Sequence, residues 1–152
     1  MKNKYDGAQL FLRLALGIGF LLPTMDRLGI LGPAGTAGNA WGNWDNFVSY
    51  TNTLMPYLSR PVTQMFAFLA TLGEFVFGIA LILGFQTQNV AKGSFILLLL
   101  FALSMLFFAG YRAPFSYSVF TACAASLLLS AMPNYRWSLD YLKGYRREES
   151  YI

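Results

Sequence analysis

The stretch "FLATLGEFVFGIALILG", residues 68–84, holds a single charged side chain, Glu74, among apolar neighbours. It closes a longer apolar run, 62–84, that is long enough to cross a bilayer, because a membrane-spanning helix needs about 20 residues. A charge at the bilayer centre costs at least about 2.5 to 3.5 kcal/mol, so such a residue usually faces the protein interior and has a partner. The stretch therefore predicts a membrane helix with one polar position on its inner face.

Three further apolar runs, 8–28, 91–109 and 115–132, predict three more spans. The chain is 56% hydrophobic and only 12% charged, about half the charge content of a soluble domain. A soluble helical bundle is excluded because too little polar surface remains to cover four such helices. We predict an all-α protein, a four-helix transmembrane bundle in a single membrane domain over residues 1–152.

The distribution of basic residues predicts the orientation of this bundle. Four spans put both termini, and the polar tail 133–152, on the same side of the membrane. The basic residues near the spans number seven on that side and three on the other: Lys2, Lys4, Lys92, Arg136, Lys143, Arg146 and Arg147 against Arg27, Arg60 and Arg112. Basic residues accumulate in cytoplasmic segments. We therefore expect a multi-pass protein of the bacterial cytoplasmic (inner) membrane with both termini in the cytoplasm.

The outer connector, 29–60, changes character halfway along. Its first half is rich in Gly, whereas Trp41 to Ser59 has the pattern of an amphipathic helix. The apolar positions of that pattern share one face: Trp44, Phe47, Val48, Thr51, Leu54, Met55 and Leu58. Such a helix lies in the membrane interface. Two interpretations are open, an anchored connector or a lid over a pocket that opens toward the outer leaflet.

Small residues surround Glu74 on its own helical face, and a matching face of the first span has a Gly one turn from a charged residue. The two faces are Ala67, Ala70, Glu74 and Gly78 on the second span, and Arg13, Gly17, Phe20 and Thr24 on the first. Small residues let membrane helices approach closely, so the faces predict a seam in which Arg13 pairs with Glu74. At 1.5 Å per residue Glu74 lies about 15 Å and Arg13 about 7 Å deep. The pair is either a structural staple or part of a polar pocket for a ligand head group or a proton.

Two further pairs of residues are secondary polar candidates. Asp26 and Arg27 are neighbours near the outer end of the first span, and side chains at i and i+1 of a helix point apart. A role in topology is expected for them, with Pro23 kinking the span nearby. Tyr111 and Arg112 fall in the tight outer loop that precedes the fourth span.

The residue types present restrict the chemistry. The chain has no His and a single Cys, Cys123, so it cannot form an internal disulfide or a thiol pair. A haem or metal site made from this chain alone is not expected, and no aromatic-basic patch indicates nucleic-acid binding. No catalytic residue can be assigned. Any redox group would belong to a partner or to a bound small molecule.

Three stretches together resemble the DoxX-like membrane proteins, a group that includes the DoxD subunit of thiosulfate:quinone oxidoreductase. They are "RLALGIGFLLPTMDRLG" from Arg13, "LATLGEFVFGIALILGFQTQ" from Leu69, and the closing "RWSLDYL" from Arg136. Within them an Arg, a Gly and a basic residue before Leu match the first span of the family. The Glu and Gly of the second span and its Leu-Gly-x-x-Thr turn match as well. The matching residues are Arg13, Gly17, Arg27, Leu28, Gly73, Glu74, Gly78, Leu83, Gly84 and Thr87.

This resemblance implies a four-helix membrane bundle that serves, at most, as a non-catalytic subunit of an oxidoreductase. It implies a quinone-linked or sulfur redox system, with a quinone as the candidate cofactor and none bound covalently. The ligand is expected near Arg13 and Glu74. Membrane lipid, a redox-enzyme subunit and a second copy of the chain are the expected partners. Two alternatives remain open, a transporter of small molecules or lipids and an assembly protein with a purely structural ion pair.

Overall fold

The computed structural model describes residues 5–142 and residue 144, and within them it contains helices and no strand. The helices are α1 (Asp6–Arg27), α2 (Trp44–Leu54), α3 (Arg60–Leu83), α4 (Thr87–Ser104) continued by a π-helical turn (Met105–Ala109), α5 (Ala113–Ser116) and α6 (Val119–Ser130). A further helical turn covers 139–142. Of the basic residues used to predict the orientation, Lys2, Lys4, Lys143, Arg146 and Arg147 lie outside the described residues.

Among the described residues, three helices are long and apolar enough to cross a membrane: α1, α3, and α4 with its π-helical turn. They coincide with the first three predicted spans. The fourth predicted span, 115–132, is not one continuous helix, because Ser118 adopts a left-handed conformation with φ of 55° between α5 and α6. The helix that follows, α6, has 12 residues and is about 18 Å long, shorter than the roughly 30 Å hydrocarbon core.

The seam between α1 and α3 organises the bundle. Gly17 and Gly78 meet there, since a Cβ atom added to Gly17 would lie 2.9 Å from the carbonyl oxygen of Gly78. All four residues of the predicted face on α1 are buried, and on α3 so are Ala67, Glu74 and Gly78. The predicted contact between the two faces is confirmed. On the other side of the bundle α6 packs mainly on α4, and α4 packs on α3.

The amphipathic helix of the connector is also confirmed, as α2. It begins after Asn43, whose side chain accepts a hydrogen bond from the backbone N–H of Asn46 at 2.9 Å, a common way to satisfy the first N–H groups of a helix. Its buried residues, Phe47, Val48, Thr51 and Leu54, belong to the predicted apolar face. Phe47 and Val48 form a cluster with Ala67 of α3, so α2 covers one end of the α1–α3 seam.

The two ends of the molecule are built differently. The connector end comprises Arg27 and α2. At the opposite end, the tail end, the segment 135–142 folds back onto the bundle and is not a free polar tail. There Arg136 forms an ion pair of 3.1 Å with Asp6 of α1, and the carboxylate of Asp140 accepts hydrogen bonds from the backbone N–H groups of Gln86 and Thr87 at 2.8 and 2.7 Å. A carboxylate at this position stabilises the N-terminus of α4.

Candidate functional site

A buried ion pair joins α1 to α3 at the connector end. The guanidinium of Arg27 contacts both carboxylate oxygens of Glu74, with Nη1 on Oε2 and Nη2 at 3.2 Å from Oε1. Arg27 is 3% exposed and Glu74 is 4% exposed. Nη1 also donates to the hydroxyl of Thr71 at 3.0 Å. A guanidinium that meets a carboxylate through two parallel contacts is held in both position and orientation.

Aromatic side chains of the connector cover this pair. The ring of Phe47 lies 3.9 Å and that of Trp41 lies 5.0 Å from Cζ of Arg27. Both distances are within the range of a cation–π interaction. The Nε atom of Arg27 is buried and has no hydrogen-bond partner among the described residues. The cation is therefore enclosed between Glu74 and the connector, with one donor unused.

Asp26, the neighbour of Arg27, fastens the connector to the same end of α1. Its carboxylate accepts hydrogen bonds from the backbone N–H groups of Ala40, Trp41 and Gly42, at 2.9, 3.0 and 2.8 Å. Gly42 has φ of +64°, and a Cβ atom there would collide with the backbone nitrogen of Ala34, so this turn requires glycine. Asp26 and Arg27 point apart, as expected. Asp26 binds the backbone of the connector and Arg27 binds Glu74, so both contribute to the connector-end site.

The predicted pairing of Arg13 with Glu74 is wrong. Arg13 lies at the tail end, 1% exposed, and there it donates mainly to backbone carbonyl groups. The acceptors are the carbonyl oxygens of Leu81 and Ile82 at 3.0 Å, those of Arg136 and Trp137 at 3.3 Å, and Oε1 of Gln9 at 3.4 Å. Two of these carbonyls belong to the last turn of α3, whose negative dipole end Arg13 neutralises.

The direction of the side chains explains this outcome. Because Gly17 lies opposite Gly78 in the antiparallel seam, the distances along the helix axis follow from the rise of about 1.5 Å per residue. Along this axis Glu74 lies about 12 Å from Arg13 and about 9 Å from Arg27. Side chains of a helix lean toward its N-terminus. Glu74 therefore leans toward the connector end and Arg27 leans toward Glu74, whereas Arg13 leans away toward the tail end. Distance alone left Arg13 as a candidate, and direction excludes it.

The tail end joins the three stretches on which the family resemblance was based. Gly84, in the turn after α3, has φ of +67°, and a Cβ atom there would collide with Cβ of Ser138 and with the guanidinium of Arg13. The first span, the Leu-Gly turn and the closing segment therefore meet at one point. Glycine is required at this point both for its conformation and for the close approach.

The other polar candidates do not belong to the connector-end site. Tyr111 is 73% exposed, and Arg112 is exposed in the turn before α5. The sequence interpretation correctly placed Glu74 on a buried helical face but did not predict that Arg27, Thr71 and Trp41 surround it. The lean of helical side chains toward the N-terminus was a signal that could have found Arg27, since it follows from the geometry of any α-helix.

The chain was compared with protein families, with curated proteins and with solved structures. A family model described as DoxX matches residues 8–110. The matched range includes Arg13, Asp26, Arg27 and Glu74 and ends before α5. No curated protein matches the chain, and no solved structure matches it either.

Proposed function

Since the chain belongs to the DoxX family, we propose that it is a non-catalytic accessory subunit of a quinone-linked or sulfur redox system in the bacterial inner membrane. In this role it binds the polar head of a quinone, or of a similar lipid-like molecule, at the connector end. The catalytic redox centre resides in a partner subunit. This subunit holds the membrane-soluble ligand close to that partner.

The observation that carries the proposal is the buried cluster of Arg27, Glu74 and Thr71 beneath the aromatic rings of the connector. A quinone head is a flat ring with carbonyl oxygens that accept hydrogen bonds. The unused Nε of Arg27 is a suitable donor, and Phe47 and Trp41 are suitable surfaces for stacking. The hydroxyl of Thr71 accepts from Arg27 and donates to the carbonyl of Ala67, so it orients the guanidinium. Glu74 is a carboxylate that can exchange a proton. The donor set therefore fits such a ligand.

Binding requires the connector to move. Phe47 lies against the face of the guanidinium, where a ligand ring would stack, so α2 has to lift before a ligand reaches Arg27. The three hydrogen bonds to Asp26 hold the connector next to the site. When α2 lifts while the hydrogen bonds to Asp26 remain, the connector acts as a lid. This is one of the two interpretations that the amphipathic pattern allowed.

The experiment is a measurement of co-purified quinone. Protein is purified in mild detergent from bacterial membranes, and its isoprenoid quinone is extracted and quantified by mass spectrometry relative to phospholipid. We expect the ratio of quinone to phospholipid in the purified wild-type protein to exceed the same ratio in the membrane. In a double variant, Arg27→Met with Glu74→Gln, the excess is expected to disappear, because the polar anchors of the site are gone.

The matched control is Arg60→Gln, which removes an exposed cation near the same end of the molecule and should keep the excess. Both variants are first shown to be folded and inserted in the membrane. Equal quinone content in the double variant and the wild type would overturn the proposal. So would a wild-type protein that carries no more quinone than the bulk lipid.

A structural staple is the second candidate, and one observation favours it: both oxygens of Glu74 are already engaged by Arg27. Buried ion pairs can often be replaced by apolar residues at little cost in stability. If the pair only joins helices, the same double variant should fully complement a deletion strain. If it binds a ligand, the folded variant should fail to complement.

We place both termini in the cytoplasm and let α5 and α6 return the chain through the bilayer as the fourth segment. The excess of basic residues on the terminal side supports this orientation, and the ion pair of Asp6 with Arg136 keeps both ends of the described chain together. A reporter fused after Ile152 should be active in the cytoplasm, and one inserted within 32–42 should be active outside. A C-terminal reporter active only outside would overturn the four-segment topology.

A further inference from the structure

Two neighbouring grooves lie along α3 and the closing segment, and neither is lined by Arg27 or Glu74. One groove, of about 510 Å³, is lined by Leu83, Arg136, Trp137, Ser138, Leu139, Tyr141 and Leu142. The other, of about 280 Å³, is lined by Phe75, Val76, Ile79, Ala80, Leu83, Phe85 and Leu139. Leu83 and Leu139 line both, so the two form one continuous channel on the outside of α3.

The two halves of this channel differ in chemistry. The smaller half follows the lipid-facing side of α3 and is lined by apolar residues throughout. The larger half is lined by Arg136 together with two aromatic residues, Trp137 and Tyr141, that are 56% and 48% exposed. Trp and Tyr are enriched at the level of lipid head groups. One half of the channel thus suits the acyl chain of a phospholipid, and the adjoining half suits its polar head group.

Arg136 has hydrogen-bonding capacity left for an anion. Among the described residues its only side-chain hydrogen bond is the one from Nη1 to Asp6, and its Cζ lies 5.1 Å from the ring centre of Trp137. The remaining N–H groups of a guanidinium match a phosphate well. Trp137 has φ of 55°, a conformation in which its carbonyl accepts from Arg13 while its indole stays at the groove.

We propose that this channel is a binding site for an anionic phospholipid, separate from the connector-end site and independent of the proposed quinone role. One acyl chain lies in the apolar groove beside Val76 and Ile79. The phosphate lies at Arg136, with Trp137 and Tyr141 at the level of the head group. The site tethers the closing segment 135–142 to the membrane surface.

The experiment uses Trp137 as the reporter of its own groove. The full-length protein is reconstituted in phosphatidylcholine vesicles that contain a small fraction of phospholipid with brominated acyl chains, which quench nearby Trp fluorescence. Brominated phosphatidylglycerol is compared with brominated phosphatidylcholine. We expect the anionic lipid to quench at about fivefold lower mole fraction, the size of effect that one basic residue near a membrane surface provides.

Four variants test the assignment. Trp137→Phe should abolish the lipid-specific quenching, since the other two Trp residues, Trp41 and Trp44, lie at the connector end. Arg136→Gln should remove the preference for the anionic lipid, and Arg60→Gln, at the connector end, should retain it. Val76→Phe keeps every charge but narrows the apolar groove. It should lower quenching by brominated phosphatidylglycerol to the level of brominated phosphatidylcholine. This variant tests the groove independently of whether Arg136→Gln folds.

Equal quenching by the two lipids in the wild-type protein would overturn the proposal. A preference that persists in Arg136→Gln would overturn it too, because the anionic head would then bind elsewhere. Unchanged quenching in Val76→Phe would exclude the apolar groove as the place of the acyl chain.

Discussion

Two arginines of one helix, Arg13 and Arg27, are both buried but are neutralised by different means. Arg27 meets a carboxylate, Glu74, on the neighbouring helix. Arg13 has no ion pair of its own among the described residues and donates to four backbone carbonyls and one amide side chain. The first cation is balanced by a side chain and the second by the backbone.

Because of this difference, Arg27 can exchange its carboxylate partner for a ligand, whereas Arg13 cannot exchange its backbone partners. A carboxylate side chain can rotate away and let a ligand take its place on the guanidinium. The carbonyls around Arg13 belong to the end of α3 and to the closing segment, so they leave only if the backbone unfolds locally. The connector end is therefore suited to binding, and the tail-end cluster around Arg13 is suited to holding the chain together.

The largest loss of stability is expected from breaking the ion pair of Glu74. Glu74→Ala strands the buried charge of Arg27, and removal of one partner of a buried pair typically costs about 3 to 5 kcal/mol. Arg27→Ala should cost a similar amount. The double variant should cost clearly less than the sum of the two, because the residues are in contact. Unfolding in detergent measures the cycle, and additive losses would contradict the pairing.

A smaller loss is expected at Arg13. Arg13→Met keeps the volume of the side chain but removes the donor from the carbonyl oxygens of Ile82 and Trp137, at a cost of about 2 to 3 kcal/mol. Combined with Glu74→Ala, its effect should be additive to within about 0.5 kcal/mol, since the two side chains share no partner. The same unfolding measurement applies. A coupling well above that value would restore the pairing of Arg13 with Glu74.

The smallest of the three effects is expected at Asp26. Asp26→Asn replaces an acceptor oxygen of the carboxylate with a donor, so the connector loses part of its anchorage, at about 1 to 2 kcal/mol. Easier proteolysis of the segment 29–43 is the local readout. The matched control is Asp45→Asn, which breaks an exposed pair with Arg60 and should cost about 0 to 1 kcal/mol. Equal proteolysis of the two variants would contradict the role of Asp26.

Much of the helical architecture was predictable because it depends on local patterns. The apolar runs located α1, α3 and α4, and the amphipathic period located α2 and its buried face. The fourth span was predicted as one helix because the run 115–132 contains no residue that obliges a break. Ser118 adopts a left-handed conformation in the folded chain. A serine in an apolar run does not by itself predict such a break in the helix.

By itself the sequence determined that α1 and α3 meet and on which faces. Small residues repeat at the helical period around Glu74, and Gly17 lies one turn from Arg13 on the facing helix. These spacings do not depend on the exact ends of the helices. Only the tertiary structure decided that Glu74 pairs with Arg27 and that Arg13 binds the end of α3. These choices depend on the axial register of two antiparallel helices, on the direction in which their side chains lean, and on a closing segment that returns from far along the chain to supply carbonyl groups to Arg13.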